Sequence, residues 1–165
     1  FEILIASLAT LIELPWQLII AGDRTRDPKT AAQLDNDIAR LKLGNRVSVL
    51  GAVTAARLEE LYAGADLFVL ASRFEGYGMA YAEAIAHGLP VIGTTAGAIP
   101  DTVATGAAVL VAPDDAAALA HALRKLIENS AERRQLALSA RAAARQLPTW
   151  QDAAKIFSRT LEELA

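Results

Sequence analysis

The stretch FEGYGMAYAEAIAHGLPVIGT, Phe74 to Thr94, decides the reading of this chain. Gly76 and Gly78 make a turn, an alanine-rich helix is predicted from about Met79 to His87, and Pro90 opens the strand PVIGT. Glycines in a turn admit backbone shapes closed to other residues and let a ligand approach the main chain. The amides from Gly76 to Met79 belong to that turn and to a helix N-terminus, where unpaired N–H groups and the helix dipole favour an anion. Yet two carboxylates flank the turn, Glu75 and Glu83, with seven residues between them. Carboxylates repel phosphate. They only accept hydrogen bonds, so hydroxyls are their natural partners. Glu83 stands four residues beyond Met79 on the same helical face. Helical side chains lean toward the N-terminus, which brings its carboxylate to the mouth of the turn. A ligand carrying phosphate and hydroxyls together satisfies both demands, and a sugar nucleotide is such a ligand. The same spacing also fits a plain surface, with Glu75 solvated, Glu83 exposed, and Ala80, Ala82, Ala84 and Ala86 packing close against a sheet.

Around this stretch, short apolar runs alternate with helical patterns. Leu4, Leu8, Leu11 and Ile12 recur at helical spacing up to Pro15, and QLII (Gln17 to Ile20) reads as a buried strand. Thr30 and Gln33 match a capping box, Leu34, Ile38 and Leu41 make one helical face, and Gly44 is the expected stop. RVSVL, from Arg46 to Leu50, is the next strand. Thr54 caps a helix with Leu58, Leu61 and Tyr62 inward, ended by Gly64, and LFVL (Leu67 to Leu70) is a strand. AAVLV, from Ala107 to Val111, is the last strand. Asp114 is the expected cap of a helix whose stripe is Leu119, Leu123, Leu126 and Ile127, and two further helices run from about Ala131 to Gln146 and from Thr149 onward. This alternation predicts one α/β domain over residues 1–165, Rossmann-like in three layers, a parallel sheet with helices on both faces and a helical C-terminal tail. In such sheets ligands sit beyond the carboxyl ends of the strands. The Phe74–Thr94 stretch follows LFVL, at such an end.

Bulk composition narrows the function classes. Sixteen Lys and Arg against nineteen Asp and Glu give a net charge of −3, which makes no case for a nucleic-acid partner. Without a cysteine, disulfides and thiolate metal sites are excluded. No apolar run reaches the ~18 residues of a membrane span. The opening FEILIASLATLIEL lacks a basic start and carries Glu2, so it is not read as a signal peptide.

The segment SRFEGYGMAYAEAIAHGLPVIGTTAGAIPDTV, Ser72 to Val103, resembles the signature of retaining GT-B glycosyltransferases of family 4. That signature is a Glu-x7-Glu motif, a Gly-x-Pro-Val strand entry and a Gly-Gly-x-Pro-Glu turn. LIIAGD, LKLGNRVSVLGAV, LEELYAGADLFVLAS, AAVLVAPDDAAALAHALRKLI and TWQDAAKIFSRTLEEL follow in family order. The resemblance implies a nucleoside diphosphate sugar, UDP- or GDP-linked, as donor substrate, with no cofactor and no metal required. It implies that Glu83 binds the ribose hydroxyls, that Glu75 holds hydroxyls of the transferred sugar in the catalytic centre, and that amides near Gly76, Tyr77, Gly78 and Met79 meet the diphosphate or sugar. Val53 is implied beside the base. Both glutamates position; neither is assigned as a base. Ala98 and Asp101 replace the second glycine and the glutamate of the turn, and Ala71 stands where proline is usual.

The family fold pairs this donor domain with an N-terminal acceptor domain and begins the donor domain with a strand ending near an Arg and a Lys. FEILIASL resembles the helix just after that Lys, so the chain is expected to be an inactive fragment of a larger cytoplasmic enzyme, with a peripheral place at the inner membrane face left open. The missing strand is expected between QLII and LFVL in the order 3-2-1-4-5-6, so that the chain leaves a gap there, pairs those strands directly or borrows a strand from elsewhere. A GT-B-like sugar-nucleotide epimerase and a non-catalytic nucleotide-binding module are the alternative readings. Product analysis separates the first from transfer, and turnover the second. His87 reads as a helix C-terminal residue favoured by the dipole, His121 as a surface or boundary residue, Trp150 as packing for the last helix, and Arg24, Arg26 and Lys29 as a solvated loop.

Overall fold

The computed structural model describes residues 1–103, 106–147 and 150–163, and leaves the side chains of 150, 152 and 153 undescribed. The elements alternate as expected. Helices α1 (Glu2–Ala9), α2 (Pro28–Arg40) and α3 (Ala55–Ala63) alternate along the chain with strands β1 (Leu18–Ala21) and β2 (Val47–Gly51). Strand β3 (Phe68–Val69) leads to α4 (Met79–Ala86), β4 (Val91–Thr94), the short α5 (Ile99–Thr102) and β5 (Ala108–Val111). Helices α6 (Ala116–Glu128), α7 (Ser130–Ala144) and α8 (Trp150–Glu163) close the chain. All recorded strand pairs are parallel.

β4 shows why the sheet has three layers. Its four residues are all buried. Successive side chains of a strand point to opposite faces. Ile92 enters a core with Leu4, Ile5 and Leu8 of α1, Leu34 of α2, and Leu119, Leu123 and Leu126 of α6. Val91 enters a second core with Tyr81, Ala84 and Ile85 of α4 and with Ile99 and Val103. A strand covered on both faces reads as a continuous apolar run, as PVIGT does.

The strands fall into two hydrogen-bonded sets, β1–β2 and β3–β4–β5. Between the facing edges of β1 and β3 lies a cleft of about 1130 Å³, lined among others by Leu18, Ile20, Phe68 and Leu70. QLII and LFVL are not hydrogen-bonded to each other among the described residues. The cleft also explains α3. Leu58, Leu61 and Tyr62 were expected inward, but α3 has no fully buried residue, and all three line the cleft.

Several local expectations are corrected by side-chain hydrogen bonds. α1 ends at Ala9, short of Pro15, and Ile12 is exposed. Arg46 holds the turn that follows, donating to the carbonyls of Ile12 and Leu14 at 2.8 and 2.6 Å. The cap of α2 is Asp27, whose carboxylate accepts from Thr30 N, and Gln33 donates to Asp37 instead. Lys42, with φ 58°, ends that helix ahead of Gly44. Its N–H reaches Ala39 O and the Leu43 N–H reaches Ile38 O, the paired bonds of a Schellman motif. Asp115, not Asp114, caps α6 through Ala118 N at 2.8 Å. His121 is exposed on α6, as expected. Thr149 and the side chain of Trp150, on which the last helix was expected to start and pack, lie outside the described residues.

Candidate functional site

Past β3, the chain is held at the carboxyl rim of the sheet by buried side chains from its neighbours. Leu70 N pairs with Ile92 O, continuing the ladder by one bond. The hydroxyl of Tyr81, fully buried in α4, donates to Leu70 O at 2.5 Å, and that of Thr94, at the end of β4, donates to Ser72 O at 2.6 Å. Room for the Tyr81 ring comes from Gly93, where a Cβ would stand 2.8 Å from the ring. Burial pushes the Tyr81 phenol up, which keeps its proton in place as a donor.

The turn itself is clamped from α5. Ala98 N donates to Glu75 O at 3.0 Å. The Thr102 hydroxyl lies 2.9 Å from Ala98 O and also against Tyr77 O, with one proton to give. Gly97 has φ +55°, and a Cβ there would lie 2.2 Å from Glu75 O. Gly97 and Ala98 therefore act on the turn through their backbone. Ala98 supplies an N–H, so the methyl it carries in place of the expected glycine costs nothing. Gly97, the glycine that must be one, is present.

Each predicted site residue has a definite place. Gly76 and Tyr77 are exposed, Met79 begins α4, and Gly78 caps it with φ +85°. Helix first turns leave N–H groups unpaired. One amide of the turn is already engaged: Gly78 N donates to Glu75 Oε1 at 3.1 Å. Glu75, half-buried, thus closes its own turn. Glu83 is exposed, and its Oε2 accepts from the hydroxyl of Tyr62 at 3.1 Å. Neither carboxylate is in a recorded ion pair among the described residues. The two do not share a partner: Glu75 belongs to the rim beside Tyr81, Glu83 to a cluster with α3. Val53 is half-buried just after β2, at the same end of the parallel strands as the turn.

The sequence model of the family described as Glycosyl transferases group 1 matches residues 1–129. The chain belongs to the group 1 glycosyltransferases. The mannosyltransferase LpsB of lipopolysaccharide core biosynthesis in Rhizobium meliloti is 33% identical over 119 residues, covering 69% of this chain and 33% of LpsB. The structure of Anabaena HepE in complex with UDP-glucose superposes with TM-score 0.86 at 29% identity, over 98% of this chain and 44% of HepE. The C-terminal domain of the group 1 protein LpcC from Francisella tularensis superposes with TM-score 0.74 at 28% identity, over 84% of this chain and 73% of that domain. The chain spans about a third of the length of the curated relatives it matches. It is a C-terminal GT-B glycosyltransferase domain.

Within this glycosyltransferase domain, sequence reasoning gave Tyr62 and His87 only packing and capping roles and passed over Glu59 and Thr102, and it did not see that these residues and Gly97 support the glutamates or their turn. His87 ends α4 as expected of a C-cap. Its Nδ1 lies 2.8 Å from Glu83 O and its Nε2 2.8 Å from the Glu59 carboxylate. Both partners are acceptors, so the geometry favours the imidazolium, which can donate from both ring nitrogens. The Glu59 carboxylate and the Glu83 carbonyl accordingly raise its pKa above 6.5. A raised folded value stabilises the fold fully below the unfolded value, and the gain is lost as pH rises through the folded one. Urea unfolding should therefore show the protein losing at most about 1 kcal/mol relative to His87→Gln as pH climbs above 6.5. A pH-independent difference between the two proteins would refute the assignment.

Among the described residues, no group of three or more His, Asp or Glu is placed to hold a metal ion, and no helix is long and apolar enough to cross a membrane.

Proposed function

We propose that this domain binds the nucleoside diphosphate sugar of a retaining family 4 hexosyltransferase. The full-length enzyme, in this reading, works in the cytoplasm or at the inner membrane face. It passes a sugar from UDP or GDP to a hydroxyl acceptor. The observation that carries the proposal is the clamped turn at the carboxyl rim. There a glycine-rich backbone opens onto a helix N-terminus between Glu75 and Glu83. HepE, whose fold this chain shares, is bound to UDP-glucose.

In this reading the amides of Gly76, Tyr77 and Met79 and the α4 dipole face the diphosphate or the sugar. The Gly78 amide joins them when Glu75 turns to a sugar hydroxyl. Glu83 takes the ribose diol, and Val53 lies by the base. The bond from the anomeric carbon to the diphosphate breaks, a bond to the acceptor oxygen forms, and the acceptor proton passes to the departing diphosphate or to water. The domain contributes by positioning the donor and by stabilising charge on the leaving diphosphate. The acceptor site belongs to an N-terminal domain. A strand leading into α1 fills the cleft between β1 and β3, whose facing edges have no partner among the described strands.

Ligands that favour the folded state raise its melting temperature. Titrating the protein with UDP and GDP should raise it with one of them, by about 2.7 kcal/mol of stabilisation at a hundred times Kd. A flat response to both, in the full-length protein, would sink the proposal.

A further inference from the structure

The cluster around Glu83 contains a hydroxyl whose placement packing does not explain. Tyr62 lies on α3, which has no fully buried residue. Its ring stacks on His87 with centroids 4.6 Å apart and planes at 22°, and meets Phe68 at 6.3 Å. His87 is pinned in turn between Glu59 of α3 and the Glu83 carbonyl, both at 2.8 Å. A phenylalanine would make the same ring contacts. The hydroxyl adds one thing, a hydrogen bond to Oε2 of Glu83 on the neighbouring helix.

An exposed glutamate on a helix surface samples many rotamers, and ordering it costs entropy at the moment of binding. A donor fixed to one carboxylate oxygen removes that freedom beforehand and leaves the other oxygen open. We propose that Tyr62 is a positioning residue: its hydroxyl holds the Glu83 carboxylate in the rotamer that offers Oε1 to the ribose diol of the donor nucleotide. His87 and Glu59 fix the Tyr62 ring from behind, so α3 and α4 act as one support. Preorganisation of this kind raises affinity by reducing the cost of binding. The inference rests on the reading of Glu83 as the ribose ligand.

The test is calorimetric titration of the full-length protein with UDP and GDP, each also as the 2′,3′-dideoxynucleotide. The proteins are the parent, Tyr62→Phe, Glu83→Gln and the double variant. Tyr62→Phe should weaken binding of the ribonucleotide by about 3- to 10-fold, leave the dideoxynucleotide unchanged, and cost less on top of Glu83→Gln than it costs the parent. Equal losses for both nucleotides would mean that Tyr62 merely supports α3, and would overturn the proposal. Full ribonucleotide affinity in Tyr62→Phe, with Glu83→Gln still impaired, would overturn it while leaving the ribose reading intact. A ribo-to-dideoxy ratio untouched by Glu83→Gln would remove the reading and the proposal together. Melting temperatures of the variants keep loss of fold apart from loss of binding.

Discussion

Replacing Gly97 by alanine should break open the Glu75 turn. The added methyl would stand 2.2 Å from the Glu75 carbonyl oxygen and 3.1 Å from its carbon and nitrogen. These are backbone atoms, so no side chain can swing aside. The φ of +55° is a further cost, roughly 1–2 kcal/mol for a residue with a Cβ. Forcing the two backbones apart adds about 1–3 kcal/mol, as overpacking does elsewhere. The Ala98 N to Glu75 O bond is lost with the displacement. A combined loss of about 2–5 kcal/mol lowers the melting temperature by roughly 4–20 °C for a domain of this size. Gly76→Ala is the control, because nothing lies within 4 Å of a Cβ there. It should stay within about 0.5 kcal/mol of the parent. Binding of UDP or GDP should fall at least about tenfold in Gly97→Ala, because the clamp that shapes the turn is gone. Indistinguishable melting curves for the two variants would show that the clamp does not hold the turn.

Glu83→Gln should cost nucleotide affinity and spare the fold. The substitution keeps the shape of the side chain and one oxygen able to accept from Tyr62. It removes the charge that strengthens a hydrogen bond from a ribose hydroxyl. Hydrogen bonds to charged groups contribute about 1.5–3 kcal/mol, so the affinity for UDP or GDP should fall by about 10- to 150-fold. Glu83 is exposed and makes no ion pair among the described residues, so the melting temperature without ligand should stay near that of the parent. Unchanged affinity would remove Glu83 from the site. Because Tyr62 already engages Oε2, the effect should be concentrated in ligands that carry a ribose diol.

Much of this was legible in the residues. The apolar run PVIGT is a strand covered on both faces. The Leu119, Leu123 and Leu126 stripe is buried on one side of α6. Gly76 and Gly78 do form a turn at the head of a helix. Local competition hid other features. Asp27 and Thr30 both look like caps, as do Asp114 and Asp115, and the winner depends on which carboxylate reaches an N–H three residues on. α5, with four residues, is too short to leave a periodic pattern. Ile12 continues the spacing of Leu4, Leu8 and Leu11 but falls after the helix has ended.

The sequence alone determined the alternating plan, the place of the glycine turn after the third strand, and the chemistry that two carboxylates and free amides offer a ligand. These follow from period, turn propensity and functional-group type, which are local properties. Tertiary structure decided that Gly97 must lack a side chain, that Glu75 closes its own turn in this state, and that Tyr62 and His87 stand behind Glu83. The Gly97, Tyr62 and His87 contacts join groups twenty-one to twenty-eight positions apart across the fold, and the Glu75 bond to Gly78 depends on the turn that those contacts shape. Hydrogen-bond reach is about 3 Å, and only the packing of β4, α3 and α4 brings such groups within it.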